Sequence, residues 1–222
     1  MPKINQLMVD EKRKFIIDVA RLVFAEKGYQ GATIKDILNA AGISNGALFV
    51  YFKSKQEILL TIMDQNLGAF CARVDAIAED ANGYSRDDVL LMLLELVRQT
   101  SLGSGRAMSL HVWSTAMVDP VVKASLNKHF EAILHALTHL ARKLRDDHQL
   151  GAAIHPARVA HAMFALFIPG YILQLLMFPA MEPRTYLNAH RDLWENKSPK
   201  AENAAEGQKA EQEVSHFARF VQ

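Results

Sequence analysis

The chain has little cysteine: Cys71 is the single one in 222 residues. One thiol cannot close an internal disulfide, so a disulfide-stapled framework is excluded and a reducing compartment is expected. Charge of one sign is lacking as well. The 25 Lys and Arg stand against 24 Asp and Glu, a net of +1, which excludes a polycation or an acidic tail as a description of the whole chain. Residues 1–6 hold no basic segment leading into an apolar run, so no signal peptide is expected and the cytoplasm is the expected location. No segment alternates apolar and polar residues as a half-buried strand requires. No Gly-rich nucleotide loop and no Ser–His–Asp arrangement at a recognisable spacing occurs, so neither catalysis nor a cofactor is expected. Metal ligands are sparse too. His135 and His139 share a helical face, with His129 a turn and a half earlier, but Leu134, Leu137 and Leu140 surround them and no Cys or acidic cluster joins them. No metal site is expected.

Half of the residues are hydrophobic, and helical periodicity runs throughout. The spacing predicts a first helix over about 10–27, ended by Gly28, and a short helix capped by Thr33 with Asp36 three residues later. Ala41-Gly42-Ile43-Ser44 reads as a tight corner in which Gly42 takes positive φ and Ser44 caps a third helix through Tyr51. Ser54 and Glu57 open a long fourth helix to about Glu79, on whose apolar stripe Cys71 is expected as a buried, inert thiol. Ser85, Asp119-Pro120 and His155-Pro156 start later helices. From Ala162 to Met181 only Gln174 is clearly polar, a length that would cross a bilayer. Pro169-Gly170 interrupts it, no basic cluster flanks it and no second span exists, so no membrane is expected and the segment reads as a kinked helix buried on all sides. Residues 196–222 read as a polar linker followed by an amphipathic helix carrying Val214, Phe217, Ala218 and Val221.

Charge is uneven along the chain. Residues 1–60 carry nine Lys and Arg against six Asp and Glu, a net of +3, so this end is the one suited to phosphates. A short capped helix, a Gly corner and a second short helix between Thr33 and Lys55 form a helix-turn-helix layout, whose second helix enters the DNA major groove. Ile34, Ile37, Leu38, Ala41, Ile43, Leu48 and Phe52 fall inward; Asn45, Gly46, Ala47, Phe49 and Val50 fall outward. Ala40-Ala41-Gly42-Ile43-Ser44-Asn45-Gly46-Ala47-Leu48-Phe49-Val50-Tyr51-Phe52-Lys53-Ser54-Lys55, with its aromatic doublet and Ser-Lys leading into the fourth helix, resembles the N-terminal signature of the TetR family. The likeness covers roughly residues 10–60, with Phe49 standing for the usual Tyr and Leu38 for the usual Ala.

That resemblance implies an all-α fold: an N-terminal three-helix helix-turn-helix domain over 1–54, a helical effector-binding and dimerisation domain over 55–195, and the tail 196–222. It implies a homodimer bound to a double-stranded DNA operator of near-palindromic sequence and released by a hydrophobic small molecule. Thr33, Lys35, Tyr51 and Lys55 match phosphate-contacting positions, and Ser44, Asn45, Gly46, Ala47 and Phe49 complete the DNA face, with Asn45 suited to a base edge and Ala47 to a thymine methyl. Lys12-Arg13-Lys14 reads either as an arm to DNA or as solvated charge. In the body, Met92, Met108, His111, Trp113, Met117, Phe164, Phe167, Tyr171 and Gln174 are expected to line an effector pocket, the alternative for each being plain core. Sparse arginine there argues against a highly anionic ligand. Dimerisation is expected through 156–178. Two other readings stand beside this one: a constitutive regulator without an effector, and a carrier body that has lost DNA binding, against which the intact 33–55 stretch argues.

Overall fold

The computed structural model describes residues 2–80, 83–101, 105–178 and 180–191, with side chains from residue 7 onward except at 105–107. The expected tail 196–222 lies outside the described residues, among which no strand occurs. The helices are α1 (Pro2–Gly31), α2 (Ile34–Ala41), α3 (Asn45–Tyr51), α4 (Lys55–Asp80), α5 (Arg86–Thr100), α6 (Gly105–Ala116), α7 (Pro120–Asp146), α8 (Pro156–Ala165), α9 (Tyr171–Met177) and α10 (Pro183–Arg191). Residues Met1–Pro183 form one compact unit. The second unit begins at Arg184, and within it His190 Nδ1–H donates to Tyr186 O at 2.8 Å.

Local chemistry sets the boundaries. Thr33 Oγ1 accepts from Asp36 N–H while the Asp36 carboxylate accepts from Thr33 N–H, so two orphan donors of α2 are satisfied. Gly42 closes α2 at φ 64°, a left-handed conformation that a Cβ disfavours. Ser44 caps α3 through Ala47 N–H, Ser85 and Asp88 repeat the reciprocal cap on α5, and Asp119 with Pro120 starts α7. α1 begins about eight residues earlier than periodicity predicts, because a nucleated helix extends cheaply through residues that bury nothing: Leu7 and Met8 are exposed. It bends at Gly28 (φ 71°, ψ 158°) and resumes for one more turn.

Ile16, Ile17, Ala20 and Phe24 of α1 pack with Ile37, Leu48, Phe52, Ile58, Leu59 and Ile62 in one buried cluster. That cluster does not stop at the end of the three-helix head. It continues into Met108, Val112 and Ala116 of α6 and Val122 of α7. α7 packs most extensively on α4 and α8. Asp64, Asp75 and Glu79 of α4 face His129, His139 and Lys143 of α7, so the two long helices run side by side in the same direction. Among the described residues no three ligating side chains gather for a metal; these histidines meet α4 carboxylates instead.

The apolar segment departs from its sequence reading in two ways. Pro169 lacks the N–H that an α-helical turn would use, and the chain widens there into a π turn, Leu166–Gly170, where Tyr171 N–H reaches Leu166 O. The segment is also not buried on all sides. Pro156–Met177 is long and apolar enough to cross a membrane, yet its most apolar window is only 39% buried within the chain. Leu173 and Met177 are 50% and 74% exposed.

Candidate functional site

The outward face of α3 is open and uncharged. Ser44, Asn45, Gly46, Phe49 and Val50 are exposed and Ala47 is half-buried, while Leu48 and Phe52 are fully buried beneath them. A Cβ at Gly46 would meet no atom within 4 Å, so the helix start can approach a flat partner closely. Phe49 and Val50, at 47% and 77% exposure, are unusual for a helix tied down this firmly. Apolar groups projecting beside one amide are what the floor of a major groove can use: methyls for thymine, an amide for a base edge.

Around that face the basic groups divide into two sets. Lys12, Lys14, Lys35 and Lys53 are exposed. Arg13 instead turns inward: Nη1 donates to Tyr51 O at 2.6 Å, its guanidinium lies 4.2 Å above the Phe52 ring, and Nη2 is 3.6 Å from Glu57. It closes the C-terminus of α3, where carbonyls lack partners, and so is neither arm nor idle charge. Lys55 differs from its sequence reading in the same way. Its ammonium donates to Tyr29 O and Ala32 O, both at 2.7 Å, and lies 4.4 Å above the Tyr29 ring, tying the start of α4 to the end of α1. Burial pulls the Lys55 ammonium below its ordinary value. Glu57 reaches back to Lys53 N–H at 2.7 Å, one residue before the cap predicted for it. The Thr33 hydroxyl donates to Asp36, and Lys27 pairs with that same carboxylate at 2.6 Å. The Lys27 ammonium first, and Thr33 after it, hold Asp36 well below the usual carboxylate range.

In the body, a cavity of about 400 Å³ lies between α1, α4, α5, α6, α7 and the α8–α9 segment. Of the residues expected to line it, Met108 and Trp113 do. Met117, just past the end of α6, is 85% exposed. His111 packs on Gly28 of α1. Phe167 and Tyr171 are buried but face elsewhere, Tyr171 Oη donating to Met181 O at 3.0 Å. Ile168 and Ile172 face the cavity in their place, because a π turn holds an extra residue and rotates the side chains that follow. Phe164 stands behind the lining, edge-on to Phe130 at 5.0 Å. Neither Met92 nor Gln174 belongs to the lining, although Gln174 Oε1 is buried without a partner. Sequence reasoning missed Arg21 and Asn66 at the rim, along with Met63, Phe130 and Ile133. Arg21 lies within the 1–54 head, and no local signal aims a long side chain at another helix. Cys71 is partly buried on α4, and burial, with Asp75 beside it, pushes its thiol up, away from a reactive thiolate.

A helix-turn-helix head with an open reading helix, fused to a helical body that holds a cavity, is the arrangement of a helix-turn-helix transcription regulator. Residues 16–62 match the family model for bacterial regulatory proteins of the tetR family. The uncharacterized HTH-type regulator YerO of Bacillus subtilis is 35% identical over 82 residues, 37% of this chain and 28% of that protein. The HTH-type transcriptional repressor AcnR of Corynebacterium diphtheriae is 26% identical over 182 residues, 79% of this chain and 86% of the repressor. The crystal structure of FadR from Bacillus subtilis in complex with stearoyl-CoA superposes with a TM-score of 0.64 at 16% identity, covering 81% of this chain and 96% of that one, and shows the same fold. Residues 16–62 thus carry a tetR-family DNA-binding head, and the chain as a whole is similar to TetR-family transcriptional regulators in sequence and fold. Its relatives are regulators, not enzymes.

Proposed function

We propose that the protein is a homodimeric repressor that binds a near-palindromic operator through α2 and α3 and releases it when a hydrophobic small molecule fills the body cavity. Residues 1–54 read DNA, 55–195 bind effector and dimerise, and the tail follows. The observation that carries the reading is the cavity's wall: Arg21 comes from the head, and Met63, Met108 and Val112 belong to the same buried cluster as the head's own core. A ligand pressing on that wall acts on the element that positions α3. Operator release then requires that the ligand bind better to the form whose two reading helices are wrongly spaced. The stearoyl-CoA held by the Bacillus FadR supports a ligand with a long apolar part.

Asn45, Gly46, Ala47 and Phe49, with Ser44 capping them, serve as the groove-facing set, and Thr33, Lys35 and Tyr51 face the phosphates, helped by exposed Lys53. Dimerisation uses the exposed apolar face of α8 and α9, since Leu173 and Met177 would otherwise stay in water. Selection of binding sites from a random duplex library tests the reading. The wild type is expected to return an inverted repeat, and Asn45→Ala and Ala47→Thr are expected to shift preference at one position per half-site by about 1–3 kcal/mol. An unchanged motif in both variants would sink direct readout by α3. Small molecules that co-purify with the protein, identified by mass spectrometry and titrated against the operator complex, test release; release that no such molecule causes leaves a constitutive regulator.

A further inference from the structure

We propose that the effector is an apolar molecule carrying a single anionic head group, and that Arg21 of α1 receives that head at the cavity rim. This rests on reading the cavity as the effector site, and it adds the class of ligand and the residue that selects it. The Arg21 guanidinium lines the cavity, and its partners are neutral: it donates to Asn66 Oδ1, and Nη2 donates to Gln65 Oε1 at 2.9 Å. No carboxylate lies within ion-pair distance of it among the described residues. Asp18, one turn earlier on α1, is felt through space, and Asp64 on α4 is engaged by His129 at 2.8 Å.

The guanidinium is half-buried here with no carboxylate paired to it, and that partial burial disfavours its charge. The amides beside it extend the argument. Arginine carries donors alone, so Gln65 and Asn66 must both turn their carbonyl oxygens toward it. Asn66 lines the cavity beside Arg21, and Asn66 and Ala69 are exposed. A guanidinium in the cavity wall whose only partners are neutral amide oxygens suits a carboxylate or a similar oxyanion, which would replace a neutral acceptor with a charged one. Behind it Met63, Val112, Phe130, Ile168 and Ile172 offer apolar surface. The volume, about 400 Å³, falls within the ordinary range for a small-molecule site. A neutral apolar ligand leaves Arg21 unpaired, and a cation is repelled.

The placement has a regulatory consequence. Arg21 sits on α1, whose inner face is the head core, whereas Gln65 and Asn66 sit on α4. An anion captured by Arg21 competes with the contacts that now join these two helices, so the head group of the ligand acts directly on the reading head.

The test uses the full chain and three probes of one chain length, decanoate, 1-decanol and decyltrimethylammonium, each kept below its micellar concentration. Binding is followed by calorimetry. Decanoate is expected to bind the wild type about tenfold or more tighter than decanol, the increment of a charge-assisted hydrogen bond. The ammonium compound is expected to bind weakest. Arg21→Gln should bring decanoate down to decanol, whose own binding needs no charge at residue 21; Arg21→Lys should retain part of the preference. Equal binding of decanoate and decanol by the wild type, or a preference that survives Arg21→Gln, overturns the head-group assignment and leaves the cavity reading standing. Failure of all three probes to bind overturns the cavity reading, and the proposal with it.

Discussion

Gly28 sits where α1 meets α6, and replacing it with Ala tests how that junction is built. Its φ of 71° and ψ of 158° fall in a region that residues with a Cβ essentially do not occupy. A Cβ placed there would lie 3.0 Å from His111 Cε1 and 3.2 Å from Nδ1. Two costs follow, of different kinds. Backbone strain contributes about 1–3 kcal/mol, and restricting the unfolded chain returns about 0.4–1 kcal/mol. The imidazole is the far end of a side chain and yields by a few tenths of an ångström, so the steric part is the smaller. Gly28→Ala is therefore expected to lower stability by about 1–2 kcal/mol. Urea unfolding of the wild type, Gly28→Ala, His111→Ala and the double variant separates the terms. With strain dominant, His111→Ala does not rescue Gly28→Ala, and the coupling in the cycle stays below about 0.5 kcal/mol. Full rescue by His111→Ala, or no loss at all in Gly28→Ala, would refute the account.

Three further outcomes are expected. Lys55→Met removes an ammonium engaged by two carbonyls and a ring, so it should cost about 2 kcal/mol of stability while leaving the salt dependence of nonspecific DNA binding unchanged; a slope smaller by about 0.9 in an otherwise equally stable variant would return Lys55 to the phosphate contacts. Asp36 has its folded-state acidity strengthened, so the stability it contributes is fully present above its ordinary value of about 4 and is lost as pH falls below it. Thermal melts should accordingly show the wild type ahead of Asp36→Asn at neutral pH and the gap closing in acid; a gap independent of pH refutes this. Leu173→Glu changes a half-exposed residue and should leave the fold intact but yield a monomer in sedimentation at micromolar concentration, and a dimer that survives it moves the interface elsewhere.

The parts of this fold that are legible in the sequence are those fixed within a few residues. Thr33 with Asp36, Ser44, Gly42 and the Asp119-Pro120 start act through bonds spanning no more than one turn, and each reads the same in sequence and structure. The inward and outward sets of α3 follow from helical period alone. What escaped was set by tertiary reach. Arg13, Lys55 and Arg21 are long, flexible cations whose destinations lie 38, 26 and 45 residues away, and nothing in their sequence neighbourhood fixes where such a side chain ends. The cavity lining failed for a different reason. Pro169 predicts a kink, but a period of 3.6 carried through it assigns Phe167 and Tyr171 to the face that Ile168 and Ile172 occupy once the turn widens.

The continuity of the core bears on how binding in the body reaches the DNA face. Met63, Met108 and Val112 line the cavity and are also members of the buried cluster that holds α1, α2 and α3 together. Two separate cores joined by a linker would let a ligand displace its own wall without consequence for the head. Here that wall is shared, and close-packed interiors transmit displacement because they have few voids to absorb it. α4 carries the displacement further: its first turn is fastened to α1 by Lys55, and its later turns are held to α7 by the Asp64, Asp75 and Glu79 contacts. Movement of the rim by even a fraction of an ångström therefore divides between two helices that both reach the head. In the dimer proposed above, the spacing of two α3 helices must match one turn of DNA, so a small rotation of each head would cost the operator complex its register.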